Sequence, residues 1–131
     1  MTYGHAASSY REREILTASP AKLVVIVFDH MLANLRRARI AIDAKKIEAR
    51  IEAAGKARGA VLELWSSTDV ERGGQLAWNL RSLYVFMFTE IAAIVHAPDA
   101  ERVDRLTAIA VTLREGFATI AANPAAQSPA A

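Results

Sequence analysis

Apolar residues recur at alternating intervals of three and four along four stretches of this chain, as they do on the buried face of an α-helix. The first stretch follows a helix start, because Ser19 is a good N-cap and the fixed φ of Pro20 suits the first helical position. It predicts a helix over about 20–43. Its apolar positions are Val24, Phe28, Met31, Leu35, Ala38 and Ile42.

The same periodicity predicts three further helices. The second runs over about 45–66, and the fourth begins at the N-cap Asp99 and ends at Asn123-Pro124. The third ends near His96 and begins either at Asp69 or at the pair Gly73-Gly74. Their apolar positions are Ile47, Ile51, Ala54, Ala57, Val61 and Leu64 in the second helix, Leu76, Leu80, Leu83, Met87, Ile91 and Ile94 in the third, and Val103, Leu106, Ala110, Leu113, Phe117 and Ile120 in the fourth. Four apolar faces joined by short breaks predict an all-α fold, an antiparallel up-down four-helix bundle.

The segments outside the helices carry few apolar residues. Residues 1–16 place isolated apolar side chains, among them Tyr10 and Ile15, between small and charged residues. This composition favours a flexible arm, and the alternative is an arm that lies along the bundle with a tyrosine docked in a groove. We therefore expect a flexible N-terminal arm at 1–16, a bundle domain at 17–122 and a disordered tail at 123–131.

The third helix is apolar over more of its circumference than its stripe requires. The additional apolar residues are Trp78, Tyr84, Val85 and Phe88. Since no helix of a four-helix bundle is fully surrounded, this excess predicts a groove that binds a partner.

Two glycines of the second helix, Gly55 and Gly59, lie on one face. Each costs a helix about 1 kcal/mol relative to alanine. They either let another backbone approach closely or mark a weak, flexible helix, and the sequence leaves both interpretations open.

Composition narrows the class of function. At 131 residues the chain suits one domain, and a net charge of +2 with interspersed signs gives no electrostatic case for nucleic-acid binding. The chain has no cysteine, which excludes disulfides and thiolate chemistry. No apolar run reaches the roughly 20 residues of a membrane span, so we expect no membrane insertion. The charged residues 11–14 stand where a signal peptide would need an apolar core, so we expect a cytoplasmic protein.

Groups that could perform catalysis or bind metal are few. The three histidines belong to no H-E-x-x-H or E-x-x-H arrangement, which argues against a zinc or di-iron site. Asp29, Glu63 and Glu90 lie beside apolar faces, but their spacing does not bring them together. We therefore expect no enzyme, no cofactor and no metal. The alternative to this expectation is a bundle enzyme that binds a ligand or a metal.

Four stretches, in order, resemble a known family. They are Tyr10, Ile15, Thr17-Ala18-Ser19-Pro20, Leu23-Val24 and Phe28-Asp29; Lys56-Ala57, Leu62-Glu63-Leu64 and Ser67-x-Asp69; Gly73-Gly74-Gln75-Leu76-Ala77, Asn79-Leu80 and Leu83-Tyr84-x-Phe86-Met87; and Leu113-Arg114-Glu115. Over about residues 10–118 the chain resembles the flagellar secretion chaperone family FliS, the cytoplasmic chaperones of flagellin. It departs from the family at His30, commonly glycine, at Ala93-Ile94-Val95, which lacks the usual asparagine, and at Gly116-Phe117, typically Ala-Trp. These departures suggest a divergent member.

The resemblance implies a helical chaperone that binds the C-terminal segment of flagellin, prevents its premature polymerisation and delivers it to the export gate. It also implies that the N-terminal arm can occupy part of the client groove, so Tyr10 and Ile15 are candidates for a movable cap. The residues expected to line or support the groove are Leu80, Leu83, Tyr84, Met87 and Phe88. Among these, Leu80, Leu83 and Met87 are expected in the bundle core, whereas Tyr84 and Phe88 are expected to face the groove.

The alternative function is a homo-oligomeric helical adaptor or regulatory bundle that binds another amphipathic helix. It predicts the same groove but indifference to flagellin. A mobile arm and an exposed groove would also allow a homodimer through arm exchange.

Overall fold

A computed structural model of the chain describes residues 19–123, which form four α-helices and no strand. The helices are α1 (Pro20–Asp43), α2 (Ile47–Ser67), α3 (Val70–His96) and α4 (Ala100–Ala122). Helix α1 packs against α2 and α4, α2 also packs against α3, and α3 meets α4 less closely. The all-α four-helix bundle is thus confirmed. The predicted arm and residues 124–131 of the predicted tail lie outside the described residues.

Local signals account for three of the four helix starts. The side chains of Ser19, Asp69 and Asp99 each accept a hydrogen bond from a backbone N–H of the first turn, at 3.0–3.3 Å. Such bonds satisfy N–H groups that have no partner inside the helix. Helix α2 begins after Lys46, which makes no side-chain cap.

Both positions predicted as possible starts of α3 differ from regular helix in the structure: one is the N-cap and the other is a kink. The helix begins after Asp69, but Gly74 has φ 58° and ψ −138°, so it interrupts the helical backbone. This conformation is almost confined to glycine. At Gly73 an added Cβ would lie 2.5 Å from the Cβ of Ala77, so this position also requires glycine. The glycine pair therefore produces a kink inside α3.

The core contains large side chains from all four helices. The largest with essentially no exposure are Tyr84, Phe28, Met31, Leu35, Leu64, Met87, Ile91, Ile94, Leu106, Val61 and Val103. The ring of Phe28 lies 6.5 Å from that of Tyr84 and 5.9 Å from that of Phe117, measured between centroids. Phe117, half-buried, therefore contacts the core through Phe28.

The core-facing side of α2 differs from the predicted one in its first half. Ile47 and Ile51 are 62% and 42% exposed, whereas Arg50 and Ala53 are buried. Small alanines at this contact allow neighbouring helices to lie close together, and the helix is turned accordingly. A Cβ built on Gly55 or Gly59 would meet nothing within 4 Å, so neither glycine serves the close approach of another helix in this bundle.

Candidate functional site

A small apolar pocket opens between α2 and α3, with a volume of about 190 Å³. All of its lining side chains are hydrophobic: Val61, Leu62 and Trp65 from α2, and Tyr84, Val85 and Phe88 from α3. On each helix, two of the three residues are four positions apart, and the third directly follows the first of them. The helical period of about 3.6 residues places all three on one side of the helix. The pocket therefore follows from the pairing of two helices.

The pocket continues into exposed apolar surface. Leu62 and Val85 are 50% and 53% exposed, and Trp78, two turns before Val85 on α3, is 56% exposed. Exposed apolar side chains that adjoin a pocket are typical of a surface that binds a partner. Three of the four additional apolar residues of the third helix, Tyr84, Val85 and Phe88, line the pocket, and α2 supplies its other half.

The predicted groove residues of α3 divide differently from the expectation. Met87 is completely buried, which confirms its place in the core. Leu80 and Leu83, also expected there, are only half-buried at its margin. Tyr84, expected to face the groove, is 2% exposed and lines the pocket from its inner side. Phe88 is half-buried and lines the pocket.

Tyr84 is buried because the core-facing side of α3 is turned toward it. The buried positions Ala77, Tyr84 and Ile91 follow one another at intervals of seven residues. Leu76, which the apolar stripe predicted to be buried, is 69% exposed, and its neighbour Ala77 is buried instead. Tyr84 thus forms the inner wall of the pocket. Burial disfavours the ionised phenol and raises the pKa of Tyr84 to about 12.

Two arginines lie on aromatic rings of the pocket. The guanidinium carbon Cζ of Arg81 is 3.9 Å from the ring centroid of Trp65 and 5.9 Å from that of Trp78. The Cζ of Arg58 is 5.7 Å from the ring centroid of Phe88. Both distances to pocket rings are within the range of cation–π attraction. Neither arginine was predicted, because only the register of α2 against α3 brings each one to its ring.

A second depression lies between α1 and α2, with a volume of about 390 Å³. Its lining includes Pro20, Leu23 and Val24 of α1 and Leu64 of α2. It adjoins Ser19, where the described part of the chain begins. The cap candidates Tyr10 and Ile15 lie outside the described residues.

The carboxylates that sequence inspection singled out serve different parts of the bundle. Asp29 accepts a hydrogen bond from Nε of Arg114 at 2.5 Å, and Glu90 accepts one from Nε of Arg102 at 3.3 Å. These pairs link α1 and α3 separately to α4. Within residues 19–123 no group of three or more histidine, aspartate or glutamate side chains could hold a metal ion. None of the described helices is long and apolar enough to cross a membrane.

A buried polar residue lies one helical turn after His30 in α1. His30 is exposed, and its backbone oxygen accepts a hydrogen bond from the side-chain amide of Asn34 at 3.0 Å. Asn34 is completely buried, and its Oδ1 also accepts from Arg37 at 3.3 Å. The amide is therefore satisfied within its own helix. Asn34 is not among the apolar positions from which the buried face of the first helix was predicted.

Comparison with known proteins gives consistent results. Residues 3–124 match the family model described as flagellar protein FliS. The chain is 29% identical over 106 residues to the flagellar secretion chaperone FliSB of Pseudomonas aeruginosa, a match covering 81% of this chain and 84% of that protein. It is 28% identical over 110 residues to the flagellar secretion chaperone FliS of Salmonella typhimurium, covering 83% and 82%. The corresponding protein of Vibrio cholerae is 30% identical over 93 residues, covering 71% and 68%.

Proposed function

The chain belongs to the FliS family of flagellar secretion chaperones, which are not enzymes, and from this premise we propose that it binds the C-terminal segment of flagellin at the α2–α3 pocket. Binding there would keep the segment from polymerising in the cytoplasm and hold it for the flagellar export apparatus. The observation that carries the proposal is the apolar pocket with half-exposed Leu62 and Val85 at its rim.

An apolar groove suits a client that is unfolded before it binds. An amphipathic helix is recognised through side chains on one face that enter hydrophobic pockets. A client that folds on binding must offset several kcal/mol of ordering, so it needs a large apolar contact area. One pocket of about 190 Å³ has room for a large apolar side chain, and the surrounding exposed surface extends the contact.

We also propose that the N-terminal residues 1–16 act as a movable cap, with Tyr10 and Ile15 as its apolar contacts. The depression between α1 and α2 supports this, because it lies beside Ser19, the first described residue after the arm. Deletion of residues 1–16 should leave the bundle folded and change the affinity for a flagellin C-terminal peptide in calorimetry. An unchanged affinity would contradict the cap.

Co-purification with two forms of flagellin tests the main proposal. Full-length flagellin should co-purify with the chain, and flagellin truncated at its C-terminus should not. If binding survives the truncation, the proposed mechanism is wrong, and an adaptor that recognises another amphipathic helix becomes the better explanation.

A further inference from the structure

Two arginines beside the pocket lack the partners that comparable arginines have. Five arginines of the described part are half-buried. Arg39, Arg102 and Arg114 each form a salt bridge with a carboxylate of another helix. Arg58 and Arg81 form neither a salt bridge nor a hydrogen bond with any residue in the range 19–123; the guanidinium of each lies over an aromatic ring instead. Their N–H donors are thus available to a partner.

The contact with an aromatic ring prepares each guanidinium for a carboxylate. The ring attracts the cation and limits its motion, while the N–H donors remain free. Guanidinium is weakly hydrated and matches a carboxylate with two parallel hydrogen bonds. An acidic side chain on the partner could therefore accept two hydrogen bonds from each guanidinium while the guanidinium stays on its ring.

The two arginines stand at opposite ends of the pocket. Helices α2 and α3 are antiparallel, and Arg58 precedes Trp65 by seven residues, as Arg81 precedes Phe88. The two ring contacts are therefore separated along the helices by about 10.5 Å, or two helical turns. The pocket residues Leu62 and Val85 lie between them.

We propose that Arg58 and Arg81 select the client by charge, by binding two carboxylates seven residues apart on one face of an amphipathic helix. Positions i and i+7 of such a helix are also about 10.5 Å apart on one side, and an apolar side chain between them would enter the pocket. The inference rests on the proposed function for the existence of a helical client and adds the charge pattern that this client must carry.

A second copy of this chain does not fit the same pattern. Its 14 acidic residues include no two that are seven positions apart. The expected occupant is therefore a different protein whose helix carries this acidic pair.

The decisive experiment uses two synthetic helical peptides and the full chain. Both peptides are amphipathic and carry phenylalanine in the middle of one face; one has glutamate at the two positions seven residues apart, and the other has glutamine there. The wild-type chain should bind the glutamate peptide about 25-fold more tightly, since each pair is expected to contribute about fivefold. Equal affinity for the two peptides, including no binding of either, would overturn the proposal. This comparison on the wild-type chain needs no substitution, so it decides even where a variant fails to fold.

Substitution then assigns the preference to the two residues. The double variant Arg58→Met and Arg81→Met keeps long side chains over the rings but removes both charges, and it should bind the two peptides equally. The matched control, Arg36→Met with Arg105→Met, removes two exposed charges outside the pocket and should keep the preference. A preference that persists in the Arg58→Met, Arg81→Met variant would refute the assignment.

A parallel titration with the flagellin C-terminal segment separates this inference from the proposed function. If wild-type chain does not bind that segment but discriminates between the peptides, the proposed function fails and the charge selection stands. If it binds the segment and the Arg58→Met, Arg81→Met variant binds equally well, the charge selection fails and the proposed function stands.

Discussion

Truncation of the pocket rim should weaken client binding without unfolding the bundle. The double substitution Leu62→Ala and Val85→Ala removes apolar surface at the mouth of the pocket. Both positions lie in helices, where alanine is the most favourable residue. Because both side chains are already about half exposed, their loss leaves no large cavity in the core.

The expected magnitude follows from the area that a client could still cover. Full burial of a leucine or valine side chain contributes about 1.5–3 kcal/mol. Leu62 is 50% exposed and Val85 is 53% exposed, so about half of that contribution is left for the client to gain at each residue. The two together amount to about 1.5–3 kcal/mol, which corresponds to about a 13- to 160-fold loss of affinity.

Isothermal titration with the flagellin C-terminal segment measures this loss. A matched control is Ile40→Ala with Ile47→Ala, which truncates two side chains that are 61% and 62% exposed but lie outside the pocket. The control should bind like the wild-type chain. If the pocket variant also stays within twofold of wild type while its thermal unfolding is cooperative, the α2–α3 pocket is not the client site.

Three further predictions concern the fold. Phe28→Ala should lower the free energy of unfolding by about 3–5 kcal/mol in urea titration, because it empties a completely buried ring site; a loss below 1 kcal/mol would contradict the packing described. Gly74→Ala should destabilise by about 1–3 kcal/mol owing to its positive φ, whereas Gly59→Ala, with free space around it, should stabilise by up to about 1 kcal/mol; equal effects in thermal unfolding would refute the kink. The raised pKa of Tyr84 stabilises the folded state fully below pH 10, the usual tyrosine pKa, and this contribution is lost as the pH rises toward 12, because the unfolded chain ionises first. Tyr84→Phe should remove that part of the pH dependence measured by chemical denaturation, and an unchanged slope would contradict it.

The sequence by itself determined the number of helices, most of their ends and the bundle class. Ser19, Asp69 and Asp99 act on N–H groups two or three residues away, so their effect can be recognised without knowledge of the fold. The periodicity of α1 is similarly local, and Phe28 and Met31 are buried as predicted. The excess of apolar residues on α3 can likewise be recognised without the fold, and three of these residues line the apolar pocket.

Only the tertiary structure decided which side of the first halves of α2 and α3 faces the core and which residues meet across helices. Tyr84 is buried and Ile47 is exposed because helices rotate until their side chains interdigitate, and that rotation depends on residues far apart in the chain. The pocket exists only where α2 and α3 pair. Arg58 and Arg81 reach their rings through the same pairing, since an antiparallel register places residues about two turns apart on both helices at opposite ends of one pocket.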